Sequence, residues 1–144
     1  MAEIRIFPNS QAKEFKTPNE LREYLQKELR SNGEYKYRNH RLVSKIELGT
    51  IALFRFAVVI IGWGEVSKPP HQAFITDEHG EQYQGILAFK PSSVKVFESP
   101  LQIKELEAIT RLTYHYKDNF NTGQPYYKIP MKFRDRIKKK VRVE

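Results

Sequence analysis

The stretch Gly49–Val66, GTIALFRFAVVIIGWGEV, constrains the fold more than any other part of the chain. Its apolar run from Ile51 to Ile61 is the densest in the sequence, and only Arg55 interrupts it. β-Branched and aromatic residues dominate, with Gly49 on one side and Gly62 and Gly64 on the other. This composition predicts one long bent strand, or two strands with a break near Ala57, buried on at least one face. The run is too short for a membrane-spanning helix, which takes about 20 apolar residues. A small β-rich domain has to be built around it.

The flanking segments supply the rest of that domain. Ile4 and Ile6 alternate with polar neighbours as a short first strand ended by Pro8. Thr17-Pro18-Asn19-Glu20 combines an N-cap threonine, a proline at the first helical position and a glutamate three residues after the cap. Leu21, Tyr24, Leu25 and Leu29 follow at helical spacing, and Gly33 supplies the stop. Lys68-Pro69-Pro70 forbids a helix after the central stretch. Ala73–Ile75 and Tyr83–Phe89 read as a strand pair around the turn Asp77-Glu78-His79-Gly80. Pro91-Ser92-Ser93 is a further turn, Val94–Phe97 a further strand, and Ser99-Pro100 the expected opening of a short helix. Tyr114, Tyr116 and Phe120 precede a loop at Asn121–Gln124. Tyr126, Tyr127 and Ile129 suggest a last short strand, and Pro130 opens a basic helix with Phe133 and Ile137. The expected fold is α+β: five to seven mostly antiparallel strands in a meander or small bent barrel, with two or three peripheral helices.

A chain of 144 residues is expected to be one domain over 1–144, long enough to bury a core without staples. The absence of cysteine excludes a disulfide framework, a zinc knuckle and a thiol nucleophile. MAEIRIFPNS has no cationic patch leading into an apolar stretch, so a soluble, cytoplasmic protein is expected. His40, His71, His79 and His115 show no metal-ligand spacing, and no phosphate-binding or nucleophile-elbow loop is present. Gly62-Trp63-Gly64 is no dinucleotide loop, because Ser67 stands where a third glycine belongs and Pro69-Pro70 blocks the helix. The glycines fit a strand bent sharply, with Trp63 and Glu65 on the same face two residues apart. No cofactor, metal or catalytic residue is expected, and the chain reads as a non-enzyme.

The net charge of +8, with an isoelectric point near 9.6, favours a polyanionic partner. Two segments concentrate it. In Glu34–Lys45, Tyr35 and Tyr37 are interleaved with Lys36, Arg38, His40, Arg41 and Lys45. Cations for phosphates with flat rings for bases suit a nucleic-acid groove; a basic edge strand whose tyrosines cover the core fits the same residues. The C-terminal run contains Lys132, Arg134, Arg136, Lys138, Lys139, Lys140 and Arg142, either a phosphate-contacting edge or a solvated helix face. Lys36, Arg38, Arg41, Lys45, Arg134, Lys138, Lys139 and Lys140 are the phosphate-binding candidates. Trp63, the single tryptophan, packs one end of the strand core, stacks on a nucleobase, or does both.

Leu53-Phe54-Arg55-Phe56, the strand Ile60–Val66 ending IIGWGEV, and Gly85–Phe97 with its PSSVKVF turn-and-strand together resemble the PUA-like superfamily of PUA, ASCH, EVE and YTH domains. The resemblance implies a small bent barrel with surrounding helices that binds RNA or DNA. In EVE and YTH members an aromatic-lined pocket holds a modified base, and some members are specificity modules of modification-dependent restriction systems. Carried over, it makes Trp63 the first wall of a base pocket, with Glu65 beside it and Tyr35, Tyr37 and Tyr83 behind. It implies recognition of a flipped or methylated base, with DNA favoured over RNA and a restriction or nuclease partner as a possible companion. The alternatives are a protein-interaction domain without catalysis, and an ASCH-type hydrolase or nuclease built on Glu65, Lys68 and His71.

Overall fold

The structure, a computed structural model, describes residues 2–9, 15–78, 80–112 and 127–144. The expected turn and loop residues His79, Tyr114, Tyr116, Phe120, Asn121–Gln124 and Tyr126 lie outside them. Among the described residues there are eight strands: β1 (Ile4–Pro8), β2 (Glu34–Tyr37), β3 (Ile51–Phe56), β4 (Val59–Glu65), β5 (His71–Thr76), β6 (Gln82–Ala88), β7 (Lys95–Gln102) and β8 (Tyr127–Ile129). The helices are α1 (Pro18–Tyr24), continued by a π-helical segment (Leu25–Leu29) and the final turn α2 (Arg30–Asn32), then α3 (Ile103–Thr110) and α4 (Arg134–Lys140). The fold is α+β.

The central apolar stretch folds back on itself. Ala57 takes a left-handed conformation (φ 52°) and turns β3 into β4, so the stretch is two antiparallel strands. The strands form two sheets, and no closed barrel occurs among the described residues. A five-stranded sheet runs β7-β4-β3-β1-β8 and a three-stranded one runs β2-β6-β5. The meander expectation fails at β1, which lies beside β3 and parallel to it. The chain between β1 and β2 is occupied by a helix rather than a hairpin turn, so β1 does not pair with its sequence neighbour. The sheets meet at one corner, where Ser67 N donates to Ala88 O and Lys90 N to Glu65 O, both at 2.9 Å.

The five-stranded sheet is covered on both faces. On one, Phe7, Ala52, Phe54 and Ile61 pack with Leu21, Leu25 and Leu29 of the first helix and with Tyr35, Leu87 and Phe89 of the second sheet. On the other, Ile4, Ile6, Leu53, Ile60 and Trp63 pack under α3 and α4 with Phe97, Leu106 and Ile137. The first helix starts as its sequence predicts: Thr17 Oγ1 accepts from Glu20 N at 3.2 Å, and Glu20 Oε2 accepts from Thr17 N at 3.2 Å. Such a cap is worth about 1 kcal/mol. The helix expected at Ser99-Pro100 begins later. Those residues extend β7, where Leu101 pairs with Ile60, and α3 starts at Ile103 behind a reciprocal Gln102–Glu105 cap.

β4 carries an irregularity that sets up the rest. Ile61 is skipped in the pairing on both sides, so Ile61 and Gly62 both face the first core before alternation resumes at Trp63. Gly62 then lies so close to β7 that a Cβ there would sit 2.3 Å from Lys95 O. We expect Gly62→Ala to cost at least about 1–3 kcal/mol by forcing β7 away. Gly80→Ala, in open space at φ 81°, is expected to carry only the left-handed backbone penalty of about 1–2 kcal/mol. Thermal unfolding of the two variants measures the difference, and equal losses would show that the β4–β7 approach is not tight.

Candidate functional site

The close approach of β4 to β7 places Trp63 opposite Lys95 at the sheet end. The Trp63 ring stands edge-on to Phe97, with centroids 5.5 Å apart and planes at 83°. Beside it opens a cavity of about 390 Å³ lined by Ile51, Trp63, Gly64, Glu65, Ser93, Lys95, Arg134, Lys138, Val141 and Val143. That volume lies in the range of small-ligand sites, which run to ~300–1,000 Å³. Its walls are of three kinds: apolar at Ile51, Trp63, Val141 and Val143, polar at Glu65 and Ser93, cationic at Lys95, Arg134 and Lys138.

Each wall has a local cause. Arg134 and Lys138 are four residues apart on α4 and share a face, while buried Ile137 anchors that helix in the second core. Glu65 is fixed by its neighbours: Lys90 Nζ pairs with its carboxylate, its backbone N–H donates to Ser93 Oγ at 2.8 Å, and Ser93 Oγ donates to Lys90 O at 2.7 Å. Val141 and Val143 belong to the segment after α4, which adds to the edge of β7. Glu98 N donates to Arg142 O at 2.7 Å, and Glu144 N donates to Val96 O at 2.9 Å.

The structure brings Trp63, Glu65, Arg134 and Lys138 together around this cavity. The tyrosines do not join them. Tyr35 and Tyr37 point inward from β2, and Tyr35 packs on Phe7, Phe54 and Phe89 with its hydroxyl on Asn9 Oδ1 at 2.8 Å. The Tyr37 hydroxyl occupies the space a side chain at Gly85 would need, and burial raises its pKa. Tyr83 is buried with its hydroxyl on Asp77 Oδ2 at 3.2 Å, and Lys36 and Arg38 lie over its ring at 5.8 and 5.5 Å. These three rings are core, not pocket walls, because strand alternation turns them away from solvent.

Of the other cations, Lys36, Arg41 and Lys45 are exposed on the β2 side of the molecule, while Arg38 pairs with Glu81 at 2.7 Å. Lys140 pairs with Glu105 at 3.4 Å, and Lys139 is exposed on α4. Lys68 and His71 are exposed and do not line the cavity with Glu65. Among the described residues no group of three or more His, Asp or Glu side chains is placed to hold a metal ion. No helix among them is long and apolar enough to cross a membrane.

Sequence reasoning missed Lys95, Ser93 and the valines of the C-terminal segment. Lys95 was legible only as the residue that alternates outward between Val94 and Val96. The pairing of residues 141–144 with β7 left no mark in the sequence.

No protein-family model and no curated protein sequence matches the chain. Among solved structures it is similar to the YTH domain of the Zygosaccharomyces rouxii MRB1 protein in complex with N6-methyladenosine RNA. That match has a TM-score of 0.55 at 13% identity, covering 96% of this chain and 85% of that one. It is also similar to protein Atu2648 from Agrobacterium tumefaciens, with a TM-score of 0.49 at 14% identity over 91% of this chain and 87% of that one. The likeness to the YTH domain gives the chain a YTH-like fold.

The cavity wall at residues 141–144 is held by a carboxylate. Glu144 accepts from Gln26 Nε2 at 2.5 Å and pairs with Arg22, whose Nη1 also donates to Phe97 O at 2.9 Å. The Gln26 hydrogen bond holds the Glu144 carboxyl below its ordinary 4.5, aided by the hydrogen bond and charge of Arg22 and the nearby Arg30 charge, against desolvation, which is second only to the Gln26 bond. The docked clamp is therefore at full strength above the ordinary value and is lost as pH falls through the depressed one. We expect amide exchange at Arg142–Glu144, corrected for its intrinsic pH dependence, to rise on acidification in the native protein. In Glu144→Gln it should lose that dependence, and an unchanged pH profile would remove the clamp from the account.

Proposed function

We propose that this chain is a non-catalytic RNA-binding module that takes one unstacked base, an N6-methyladenine in the first instance, into the cavity beside Trp63. The observation that carries the reading is the shared cavity itself, in which one aromatic wall, a carboxylate and three basic side chains, Lys95, Arg134 and Lys138, converge. A base turned out of its stack would lie against Trp63, an interaction typically worth about 1–3 kcal/mol. Glu65 would accept a hydrogen bond from a base N–H, and the cations would hold the flanking phosphates. A methyl group would be sensed as apolar surface enclosed by Ile51, Trp63, Val141 and Val143.

RNA takes the place of the DNA expected from the sequence, because the YTH domain of like fold is in complex with N6-methyladenosine RNA. The reading assigns no restriction partner and no reaction.

The test is a fluorescence-anisotropy titration with matched RNA and DNA oligonucleotides, unmodified and N6-methylated, at two salt concentrations. We expect the methylated RNA to bind best. Full burial of one carbon group gives about 0.8 kcal/mol, or roughly fourfold, over the unmodified strand. Trp63→Ala should abolish that preference, with Trp63→Phe retaining the fold and part of the binding. Lys138→Ala should weaken methylated and unmodified strands alike and reduce the salt slope by about 0.7. Equal affinity for all strands, unmoved by Trp63→Ala, would sink the reading.

A further inference from the structure

The outer face of the three-stranded sheet carries a feature that the Trp63 cavity leaves unused. Phe74 on β5 is 97% exposed, a large ring standing free on a strand rather than in a loop. β5 lies at one edge of the sheet. Its pairing with β6 jumps from Gln72↔Gly85 to Ile75↔Tyr83, so Ala73 and Phe74 both oppose Gln84. This bulge pushes the ring out.

Gln84 of β6 stands opposite the bulge, and the cations of β2 and the turn after it lie beyond β6. Gln84 Oε1 accepts from His40 N at 3.0 Å and also contacts His40 Nδ1 at 3.0 Å. A backbone N–H can only donate, so the Gln84 atom there is the oxygen and His40 Nδ1 carries the proton. The Gln84 amide NH2 is thereby left as a donor in the row of Phe74. Lys36, on β2, reaches across to the Tyr83 ring, and Arg38, just beyond β2, does the same while pairing with Glu81. Arg41 is exposed on the following turn. The whole segment is fastened from below by Arg5, whose fully buried guanidinium donates to Leu42 O at 2.9 Å and Ser44 O at 2.8 Å.

We propose that this face is a second nucleic-acid contact, with Phe74 stacking on a base of the strand that flanks the one held at Trp63, and Lys36 and Arg41 holding its phosphates. The proposal rests on the RNA-binding reading above. A ring in full solvent on a sheet whose opposite edge carries the exposed Lys36, with Arg41 on the turn that follows, matches the chemistry of a single strand, whose bases offer flat faces and whose backbone is anionic. Strand addition by a second copy of this chain is the competing occupant of an open edge. The bulge at Ala73–Phe74 opposes it, because it breaks the continuous ladder a new strand would need.

The experiment compares single-stranded methylated RNAs of about 4 and about 16 nucleotides, the span over which such surfaces bind. Phe74→Ala should leave the short strand unchanged and weaken the long one by about 5- to 150-fold, with Phe74→Tyr close to wild type. Trp63→Ala should weaken both lengths. Unchanged long-strand affinity in Phe74→Ala, with Trp63→Ala still damaging, overturns this inference and leaves the cavity reading standing. Loss of wild-type self-association in Phe74→Ala without any change in RNA affinity also overturns it, in favour of pairing between copies. Binding insensitive to Trp63→Ala at either length overturns the cavity reading, and with it this one.

Discussion

The structure depends on β4 serving two hydrophobic cores at once. A strand in the middle of a sheet covered on both faces has to send alternate side chains to opposite sides. β4 does so with one interruption, where Ile61 is skipped by the pairing on both sides. Two consecutive residues then face the helix side, and the second must be glycine because Lys95 O occupies its Cβ position. The shift in phase delivers Trp63, rather than a smaller residue, to the opposite core. Without the skipped residue Trp63 and Glu65 would face the first core instead.

The cavity follows from that placement, but its walls come from far apart in the chain. Ile51 lies on β3, Glu65 ends β4, Ser93 and Lys95 come from the turn into β7, and Arg134 to Val143 from the C-terminal helix and tail. Arg22 on α1 ties these pieces together by holding both the Phe97 carbonyl and the Glu144 carboxylate. The Phe97 ring in turn stands edge-on to Trp63. Residues 141–144, which supply two of the apolar walls, are thus held next to the strand that carries Phe97.

What the sequence showed about this arrangement was local. The α1 cap, the strand turn near Ala57 and the shared face of Trp63 and Glu65 all follow from spacing within a few residues, and the structure contains each of them. Arg134 and Lys138 share a face because they are one helical repeat apart. Long-range pairing was not legible. The parallel β1–β3 contact replaced a meander, and the joining of residues 141–144 to β7 was invisible, because a four-residue tail has no periodicity to read. Tyr35, Tyr37 and Tyr83 were misplaced for a related reason. Interleaving of aromatics with cations is the pattern of a binding groove and equally of a strand with one buried face, and only the position of the second face, set by β6 and Phe7, decides between them.

The electrostatics of the cavity bear on what it would select under the proposed reading. Three cations alone would favour the most charged part of a nucleic acid, its phosphates, at every point of the wall. Glu65 changes this locally. Its carboxylate lies in the same cavity, paired with Lys90, while its backbone N–H is held by Ser93. An anion beside Trp63 repels phosphate and accepts from a base N–H, whereas Arg134 and Lys138 on α4 attract phosphate. Close charges in a partly desolvated site interact more strongly than the same charges in water. On the proposed reading, Glu65 would take a neutral, hydrogen-bonding base edge, and Arg134 and Lys138 the backbone that carries it. A carboxylate among the cations, more than the size of the cavity, is what would let such a site select a base over phosphate alone.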